Sequence, residues 1–445
     1  MRLLYSAVFV LLLPLMVVRM VLRSRKAPAY RQRLGERLGF FPAPPQDQPL
    51  IWIHAVSLGE TLAARPLIER LLTELPAYRV AVTTTTPTGS AQLKRLFGDR
   101  VFHVYAPWDT PGAVRRCVAR LRPQLLLIME TELWPNLLHR CAAIDCPVIL
   151  ANARLSQRSA AGYARFPGVT RNMLDSLALI AAQNAESASR FVSLGAPDDR
   201  VRVTGSIKFD VSVDSQQRQQ AAELAQRWQL AARPVILAAS THEGEEALVL
   251  DAFRAQRAAQ SGALLVLVPR HPERFNEVYT RCAEGGWSVV RRSAAADVAT
   301  DTDILLVDSI GELMMFYGLA DVAVIGGSFS EAGGSPRGGH NPLEPAAWGK
   351  PILAGTSMFN FEQIAAQLVA AGALEQCEGA PELAQCMISL CASEAERARR
   401  GVAAKSVVES NRGALEALFG EIRRAVLPDL APDSGPDVQP GRAGD

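Results

Sequence analysis

Cysteine patterns that could bind a metal or build a disulfide framework are missing from this sequence. Its seven cysteines are odd in number and scattered, and no CxxC pair occurs among them. Zinc sites and disulfide-stapled scaffolds need closely spaced or evenly paired cysteines, so both are excluded and a reducing compartment is indicated. Excess charge is missing as well, because the net charge is only +2, and this argues against general nucleic-acid binding.

A long uncharged run stands near the N-terminus. Residues 3–18 carry no charged side chain, and seven basic residues against one acid, Glu36, lie between Arg19 and Phe40. A cleaved secretory signal fits poorly, because only Arg2 precedes the run and no small-x-small cleavage site appears. We expect residues 1–24 to form a membrane anchor that either spans the bilayer or lies in its interface. By the positive-inside rule, the rest of the chain stays on the cytoplasmic face.

The remaining chain alternates short apolar runs with helical patterns. This alternation predicts the α/β class, with parallel sheets covered by helices. The length of 445 residues suffices for two domains. We expect two Rossmann-like domains facing a cleft, at residues 25–209 and 234–427, with a linker at 210–233 and a disordered tail at 428–445. The strand-like runs are residues 50–54, 79–84, 124–129, 147–151, 177–182, 201–204, 234–239, 263–268, 288–291, 304–307, 322–325 and 351–353.

Residues 321–355 have the pattern of a strand, a glycine-rich loop, a helix and a second strand. Asn341 suits a helix N-cap, Pro342 suits the first helical position and Glu344 falls in the first turn. Helix N-termini at the carboxyl ends of parallel strands bind anionic groups, and a first-turn carboxylate can accept hydrogen bonds from ribose hydroxyls. The segment therefore predicts a nucleotide-sugar site, with the backbone N–H groups around Gly327 as further candidates.

Other strand ends in the second half carry groups that could bind phosphate. Arg270 follows one apolar run and is positioned to neutralise a nucleotide phosphate. Ser309, Ile310 and Gly311 follow another run and are expected to begin a helix, so their backbone N–H groups could receive a phosphate. Each glycine motif is weak by itself, whereas several of them at strand ends in one domain are a stronger indication.

Carboxylates follow two strands of the first half. Glu60 stands near a helix start, either as a general base for an acceptor hydroxyl or only as a partner of the helix dipole. Glu130 and Glu132 straddle a threonine, and one could bind substrate hydroxyls or a basic residue while the other caps the next helix. No HExxH or aspartate-rich metal pattern lies near them. His54 is expected to pack or to hydrogen-bond rather than to act in catalysis, and Trp134 is expected to pack rather than to act as a stacking platform.

Two basic residues are further candidates for substrate contacts. Arg154 follows a strand and could hold anionic groups, although a solvent-facing arginine is an equally good interpretation. Lys208 stands where the chain is expected to cross between the domains and could contact a carboxylate or a phosphate. An ordinary surface lysine is the alternative for Lys208.

Taken together, these motifs resemble the 3-deoxy-D-manno-octulosonic acid (Kdo) transferases of lipopolysaccharide synthesis. The resemblance runs from about residue 30 to residue 419, and it includes the N-terminal anchor. The motifs that carry it are YRQRLGERLGF at residues 30–40, HAVSLGE at 54–60, METELWPN at 129–136, NARLSQRS at 152–159, ASTHEGEE at 239–246, PRHPERF at 269–275 and GGHNPLEPAA at 338–347.

The resemblance implies a GT-B fold with an N-terminal acceptor domain and a C-terminal domain that binds the donor. It implies inverting transfer of Kdo from CMP-Kdo to a lipid A precursor at the bacterial inner membrane, with neither a metal nor a cofactor. Carried over by motif, Glu60 is the general base, and Glu130 or Glu132 is the second essential acid.

On the donor side, the resemblance assigns contacts with the CMP moiety. Arg270, His340, Asn341 and Glu344 match residues that contact it, with Glu344 on the ribose, and the turn at residues 309–311 is expected to face the phosphate. One departure is the long loop from Ser330 to Pro336, which is either a flap over the donor or an inert insertion.

Two alternatives remain at this point. Another GT-B enzyme that uses a UDP-sugar, a transferase or a 2-epimerase, would share the fold. An epimerase, however, would need neither an anchor nor an acceptor base at Glu60. A membrane-tethered binding protein without catalysis is the second alternative, and the presence of both Glu60 and the nucleotide loop argues against it.

Overall fold

The structure is a computed structural model that describes residues 2–25, 28–260, 262–330 and 337–426. The chain forms two compact units. Unit 1 takes the chain as far as Ile207 and again from Arg412, and unit 2 is Lys208–Asn411. The predicted tail at 428–445 lies outside the described residues, as does the loop after Ser330 as far as Pro336.

Unit 1 contains a seven-stranded sheet in which every neighbouring pair of strands is parallel. Its strands are β1 Leu50–His54, β2 Arg79–Thr84, β3 Phe102–Tyr105, β4 Pro123–Met129, β5 Val148–Ala153, β6 Leu179–Ala182 and β7 Val201–Val203. Their order across the sheet is β3-β2-β1-β4-β5-β6-β7, so the direction of winding reverses between β1 and β4.

The helices of unit 1 precede or connect these strands. They are α1 Arg2–Ser24, α2 Leu34–Arg37, α3 Leu58–Ala63, α4 Arg65–Glu74, α5 Pro87–Phe97, α6 Pro111–Leu121, α7 Pro135–Ala142, α8 Gln157–Ala164, α9 Pro167–Asp175 and α10 Ala185–Ser193. Two of them begin with a proline after a threonine whose hydroxyl caps the helix, Thr86 before α5 and Thr110 before α6.

Unit 2 contains a second all-parallel sheet of seven strands. The strands are β8 Val235–Thr241, β9 Leu264–Pro269, β10 Val289–Arg291, β11 Ile304–Leu306, β12 Val322–Ile325, β13 Ile352–Gly355 and β14 Leu374–Cys377. Their order is β10-β11-β9-β8-β12-β13-β14, and here the winding reverses between β8 and β12. The helices are α11 Ser215–Arg227, α12 Glu245–Ala259, α13 Phe275–Glu284, α14 Leu313–Leu319, α15 Leu343–Ala347, α16 Glu362–Ala370, α17 Ala380–Ala392 and α18 Glu394–Ser410.

The central strands are buried on both faces. In β1, Leu50 and Trp52 point into one hydrophobic cluster of unit 1, while Ile51 and Ile53 point into the cluster on the opposite face. This two-sided burial explains why parallel strands read as continuous apolar runs in the sequence. All twelve predicted runs form strands. The two strands missed by the prediction, β3 and β14, are short and partly exposed, so they lack such a run.

Two predicted domain boundaries are corrected by the structure. The last helix, α19 Ala414–Val426, belongs to unit 1 and not to the second domain, because Leu418 and Ile422 are buried in a core cluster of unit 1. The segment 210–233, predicted as a linker, is part of unit 2. Its helix α11 buries Ala221 in a core cluster of that unit, which also contains Trp228.

Helix α1 is the candidate for membrane attachment. It is 23 residues long, and its length and apolar composition would allow it to cross a bilayer. Proline 14 lies inside it, and the helix continues through this position. Most of its large apolar side chains are exposed, for example Leu3 at 75% and Leu11 at 78%.

Helix α15 is held by a close approach between two glycines of unit 2. Gly401, inside α18, lies so near Gly349, just after α15, that an added Cβ would overlap the carbonyl oxygen of Gly349. We expect Gly401→Ala to destabilise unit 2 by about 1–3 kcal/mol, because backbone must move to relieve the overlap. Differential scanning calorimetry of the full chain would measure this as a lower unfolding temperature.

Gly420 provides the matched control for this substitution. It also lies inside a helix, α19, but an added Cβ would meet nothing within 4 Å. Gly420→Ala should leave the unfolding temperature unchanged or raise it, since alanine favours a helix over glycine by about 1 kcal/mol. Equal effects of the two substitutions would contradict the proposed steric cause.

Candidate active site

The predicted acids of unit 1 lie where the strand order of its sheet reverses. Glu60 follows β1, and Glu130 and Glu132 follow β4, the neighbouring strand on the other side of the reversal. The carboxyl ends of parallel strands meet at one edge of a sheet, and a reversal opens a crevice there that binds ligands in open α/β sheets. The structure therefore brings the three predicted acids together.

Glu60 is a buried carboxylate with few donors. Its side chain is 7% exposed, and it accepts hydrogen bonds from the Val56 N–H at 2.8 Å and from the Ser57 hydroxyl at 2.8 Å. Burial raises the pKa of Glu60 to about 7; these two hydrogen bonds oppose that shift, and the charges of Glu132 and Glu130 add to it. A carboxyl group that titrates near neutral pH can both accept and release a proton.

Glu132 is held by the indole of Trp134. The indole N–H donates to a Glu132 carboxylate oxygen at 2.9 Å. Burial raises the pKa of Glu132, the Trp134 hydrogen bond lowers it and the nearby charge of Glu130 raises it. Trp134 was expected only to pack, and the structure adds this hydrogen bond to its role.

Glu130 departs from strand geometry. It has a φ of 56°, in the left-handed region that non-glycine residues seldom adopt, and so it ends the alternation of β4. Asn152 at the end of β5 and Ser240 near the end of β8 share this conformation, with φ of 53° and 57°. Such backbone strain is concentrated at functional sites, and in this chain three examples lie at strand ends next to the candidate residues.

His54 packs and hydrogen-bonds at the end of β1, as expected. Its Nδ1 lies 2.9 Å from the Thr83 hydroxyl, and the ring of Trp134 meets it edge to face at 4.4 Å. Complete burial lowers the pKa of His54 to about 3, so the ring is neutral at physiological pH. His54 therefore forms part of the wall behind the acids.

Arg154 follows β5, the strand next to β4, so it stands at the same edge of the sheet as the acids. The hydroxyl of Thr131 donates to the Arg154 carbonyl oxygen, which ties the two loops together. Lys208 is the first residue of unit 2, and its Nζ lies 6.0 Å from the centre of the Phe361 ring. The structure thus places Arg154 near the acids of unit 1 and assigns Lys208 to the other unit.

In unit 2, the glycine-rich loop that follows β12 surrounds a buried carboxylate, that of Glu245 at the start of α12. Glu245 accepts hydrogen bonds from the backbone N–H groups of Gly327 at 2.7 Å, Ser328 at 3.0 Å and Phe329 at 3.1 Å. It accepts a fourth from the His242 N–H at 2.9 Å. The N–H group of Gly327, predicted to receive a phosphate, thus already donates to an anion that the protein supplies, and its contact with the donor stays a prediction.

Three histidines converge beside this loop. Nε2 of His242 and Nε2 of His340 are 2.9 Å apart, and the rings of His242 and His271 lie 5.1 Å apart. Burial, together with smaller contributions from nearby charges such as Arg270 and Arg337, lowers the pKa of His242 to about 3 and that of His340 to about 4. Gly327 permits this arrangement, since an added Cβ would lie 3.0 Å from the His340 ring.

Of these three histidines, only His340 was predicted to be a site residue. His242 and His271 stand in the quoted motifs, and a signal was available, because each follows the end of a strand, β8 or β9, that lies at or beside the reversal in strand order. Glu245 was missed as well. Its function could not be inferred, because a first-turn glutamate more often faces solvent than a neighbouring loop.

Four of the residues predicted to contact the nucleotide lie near one another in unit 2: Arg270, His340, Asn341 and Glu344. Arg270 is exposed at the end of β9, and its charge lowers the pKa of Glu344, which burial raises. The Asn341 carboxamide donates to Glu344 at 3.3 Å and accepts from the Leu343 N–H at 3.1 Å. The helix begins at Leu343, so its N-cap is Pro342 and the predictions of Asn341 as the N-cap and of Pro342 as the first helical residue are wrong by one position. Asn341 still accepts the first N–H group of α15 from the residue before the cap.

The turn formed by Ser309, Ile310 and Gly311 precedes α14 and does not begin it. The helix starts at Leu313, Gly311 has a φ of 93°, and Ile310 is 68% exposed. The Ser309 hydroxyl donates to Glu312, which is paired with Arg292 at 2.8 Å. The prediction of a helix start at this turn is therefore wrong, because its side chains make local contacts.

Comparison with known proteins agrees with this geometry. Residues 32–211 match the model of the family described as 3-deoxy-D-manno-octulosonic-acid transferase (kdotransferase). A 3-deoxy-D-manno-octulosonic acid transferase of Haemophilus influenzae is 41% identical over 94% of this chain and 97% of its own length. One of Bordetella pertussis is 38% identical over 87% of this chain and 89% of its own length.

A solved structure supports the fold. The putative UDP-N-acetylglucosamine 2-epimerase of Listeria monocytogenes has a TM-score of 0.54 at 13% identity, over 87% of this chain and 98% of that one. The fold is GT-B, and the protein is a glycosyltransferase. Within that class, the chain belongs to the 3-deoxy-D-manno-octulosonic acid transferase family.

The Glu245 carboxylate can be tested as the support of the glycine-rich loop. Glu245→Ala removes the acceptor of four backbone N–H groups, and each unsatisfied buried donor costs about 1–3 kcal/mol. We expect faster hydrogen–deuterium exchange at residues 327–329, measured by mass spectrometry on the full chain. Glu243→Ala is the control, because Glu243 is exposed in the loop between β8 and α12, two residues before Glu245, and should leave this exchange slow. Unchanged exchange in Glu245→Ala would refute the support role.

Proposed function

We propose that this enzyme transfers Kdo from CMP-Kdo to a lipid A precursor, lipid IVA, with inversion and without a metal, and that it releases CMP. The observation that carries the proposal is the position of Glu60 in a member of this family. It is a buried carboxyl group with a pKa of about 7, beside two further acids at the reversal in strand order. Such a group is suited to accept a proton from a hydroxyl at neutral pH.

In the proposed reaction, an acceptor hydroxyl attacks the anomeric carbon of Kdo. The new glycosidic bond forms as the bond from that carbon to the phosphate oxygen of CMP breaks. The hydroxyl proton passes to Glu60, and the bonding electron pair leaves with the phosphate. Attack from the face opposite the phosphate gives inversion. The oxocarbenium-like transition state carries positive charge at the sugar, and Glu130 and Glu132 are our candidates to stabilise it.

Unit 2 is the proposed site for the donor. The departing phosphate gains negative charge, and Arg270, with Arg337 and the three histidines nearby, would offset it. Asn341 and Glu344 are proposed to contact the CMP moiety, with Glu344 on the ribose, and the hydrogen bond from Asn341 holds the Glu344 carboxylate. The turn at residues 309–311 stays a proposed contact through its backbone, and Arg154 and Lys208 stay candidate contacts with anionic groups of the substrates.

The proposed location is the cytoplasmic face of the bacterial inner membrane. Helix α1 is apolar and exposed, and a lipid acceptor lies in a membrane. The exposed basic residues that follow α1, among them Arg25 and Arg31, would favour a surface of anionic lipids.

The test of this function is direct. Detergent-solubilised protein would be incubated with CMP-Kdo and a tetraacylated lipid A precursor, with and without EDTA, and the lipid analysed by mass spectrometry. We expect a product heavier by one or more Kdo residues in both samples. Unchanged lipid, in a preparation that is folded and binds CMP, would exclude this donor–acceptor pair. A strict requirement for an added divalent metal would contradict the metal-free mechanism.

Substitution of Glu60 tests the base assignment. We expect Glu60→Gln to retain CMP binding and to lower kcat by about 100-fold or more, because general base catalysis contributes roughly 10²–10⁴-fold. CMP affinity would be measured by titration calorimetry and kcat by the mass assay. Glu69→Gln is the control, since Glu69 pairs with Arg65 on the surface of α4. Lost CMP binding in a folded Glu60→Gln protein would count against the assignment.

The pH profile gives a second check. The base is active as a carboxylate, and its pKa of about 7 means that the protonated form dominates below pH 7. Because kcat/KM reports the groups of the free enzyme, its value should rise with pH and level off above about pH 7. Because the charge of Glu132 raises the pKa of Glu60, residual activity of Glu132→Gln should level off at lower pH. An unshifted profile would mean that another group controls the rate.

A further inference from the structure

One face of helix α1 has reduced exposure along its whole length, and its two ends contact the rest of unit 1. The side chains with reduced exposure recur every three or four residues, which places them on a single helix face. They are Arg2, Tyr5, Ser6, Phe9, Leu13, Met16, Val17, Met20 and Ser24. A helix that projected freely from unit 1 would show no such stripe from its first turn to its last.

Both ends of α1 make contacts with unit 1. In the first turn, the guanidinium of Arg2 and the hydroxyl of Ser6 donate to the carboxamide oxygen of Asn136, at 3.1 and 3.0 Å. Asn136 is buried in the first turn of α7. In the last turn, Ser24 is 1% exposed and the guanidinium of Arg23 lies 5.1 Å from the centre of the Tyr30 ring.

Asp109 reinforces the attachment of the first turn. Its carboxylate accepts from the backbone N–H groups of Asn136 at 3.0 Å and Leu137 at 2.9 Å, so it fixes the start of α7. The Tyr5 hydroxyl hydrogen-bonds to the same carboxylate. A polar network that is buried and satisfied in this way resists separation, because its members would lose their partners.

The opposite face of α1 is apolar and exposed. Leu4, Leu11, Leu15 and Val18 recur at helical spacing, with 62, 78, 65 and 54% of their surface exposed. A continuous exposed apolar stripe of this length marks a surface that binds lipid or another protein. Arg19 lies on the flank between the two faces, near the end where the basic residues cluster. Positive charge beside an apolar stripe favours a membrane with anionic headgroups.

We propose that α1 lies in the plane of one leaflet, with the stripe around Leu11 among the acyl chains, and does not cross the bilayer. This proposal rests on the proposed membrane association. A helix of 23 residues is about 34 Å long, so crossing would place its two ends on opposite sides of the membrane. The contacts of Arg2, Tyr5 and Ser6 with unit 1 would then be broken. The in-plane arrangement keeps them all.

The position of residue 3 relative to the bilayer tests the proposal. Leu3 is 75% exposed in the first turn, so a Leu3→Cys variant can carry the dye NBD there. Labelling would use a Cys386→Ser background, because Cys386 is the one free cysteine of the seven that is not buried. The full chain would be added to preformed, sealed vesicles of phosphatidylethanolamine and phosphatidylglycerol. Dithionite, which does not cross the bilayer, would then be added outside.

For an in-plane helix, we expect external dithionite to remove nearly all NBD fluorescence. For a spanning helix, the dye would be inside the vesicle and protected until detergent is added, and that result would overturn the proposal. Arg25→Cys carries the control label, which should react in either case. Failure of the protein to float with the vesicles would refute the membrane association itself. A protected dye on protein that does float would refute only the in-plane arrangement, so the two failures are distinguishable.

A second pair of variants tests the lipid-facing stripe. Leu11→Glu combined with Leu15→Glu changes only the exposed face, so we expect the fold to be retained and vesicle binding to weaken by about tenfold or more. Val402→Glu is the control, since Val402 is a 70% exposed apolar residue of helix α18. Unchanged vesicle binding of the Leu11/Leu15 variant would contradict the contact of the stripe with lipid. Loss of a dimer in light scattering of this variant would show that the stripe binds another copy of the chain instead.

Discussion

The reversal of strand order in each sheet is the constraint on which both candidate sites depend. In a parallel sheet every strand delivers its following loop to the same edge, and helices cover both faces, so only that edge stays open. Neighbouring connections diverge where the winding reverses, between β1 and β4 in unit 1 and between β8 and β12 in unit 2. Glu60 is distant in sequence from the other two acids of unit 1, and the histidines of unit 2 are distant from one another. Each set is gathered within its own unit because of this strand order.

Two buried carboxylates show how the number of donors separates support from reactivity. Burial raises the pKa of Glu245, and its four backbone hydrogen bonds oppose that shift and fix the loop after β12. Glu60 accepts two hydrogen bonds and has two acids nearby, so its pKa rises to about 7. The cost of burying Glu60 is only partly offset, and an incompletely compensated carboxylate is the kind that can take up a proton.

Much of this organisation could be predicted from the sequence, and the exceptions have physical causes. Continuous apolar runs identified twelve strands because central parallel strands are buried on both faces. The edge strands β3 and β14 lack such runs. The assignment of α19 to unit 1 could not be predicted, because an amphipathic helix such as the one carrying Leu418 and Ile422 reveals that it has a buried face but not which core receives it. The partner of Gly327 was missed for the same reason, since Glu245 stands 82 residues away.

The charges of the two candidate sites match the two ends of the proposed reaction. Unit 1 gathers three carboxylates, which suit a sugar that becomes positively charged and a hydroxyl that must lose a proton. Unit 2 gathers Arg270, Arg337 and three histidines, which suit a phosphate that becomes more negative. Burial keeps His242 and His340 neutral, so their hydrogen-bonding capacity is available without the cost of two buried positive charges. An incoming phosphate would favour their protonated forms, so donor binding and proton uptake at these rings should be linked.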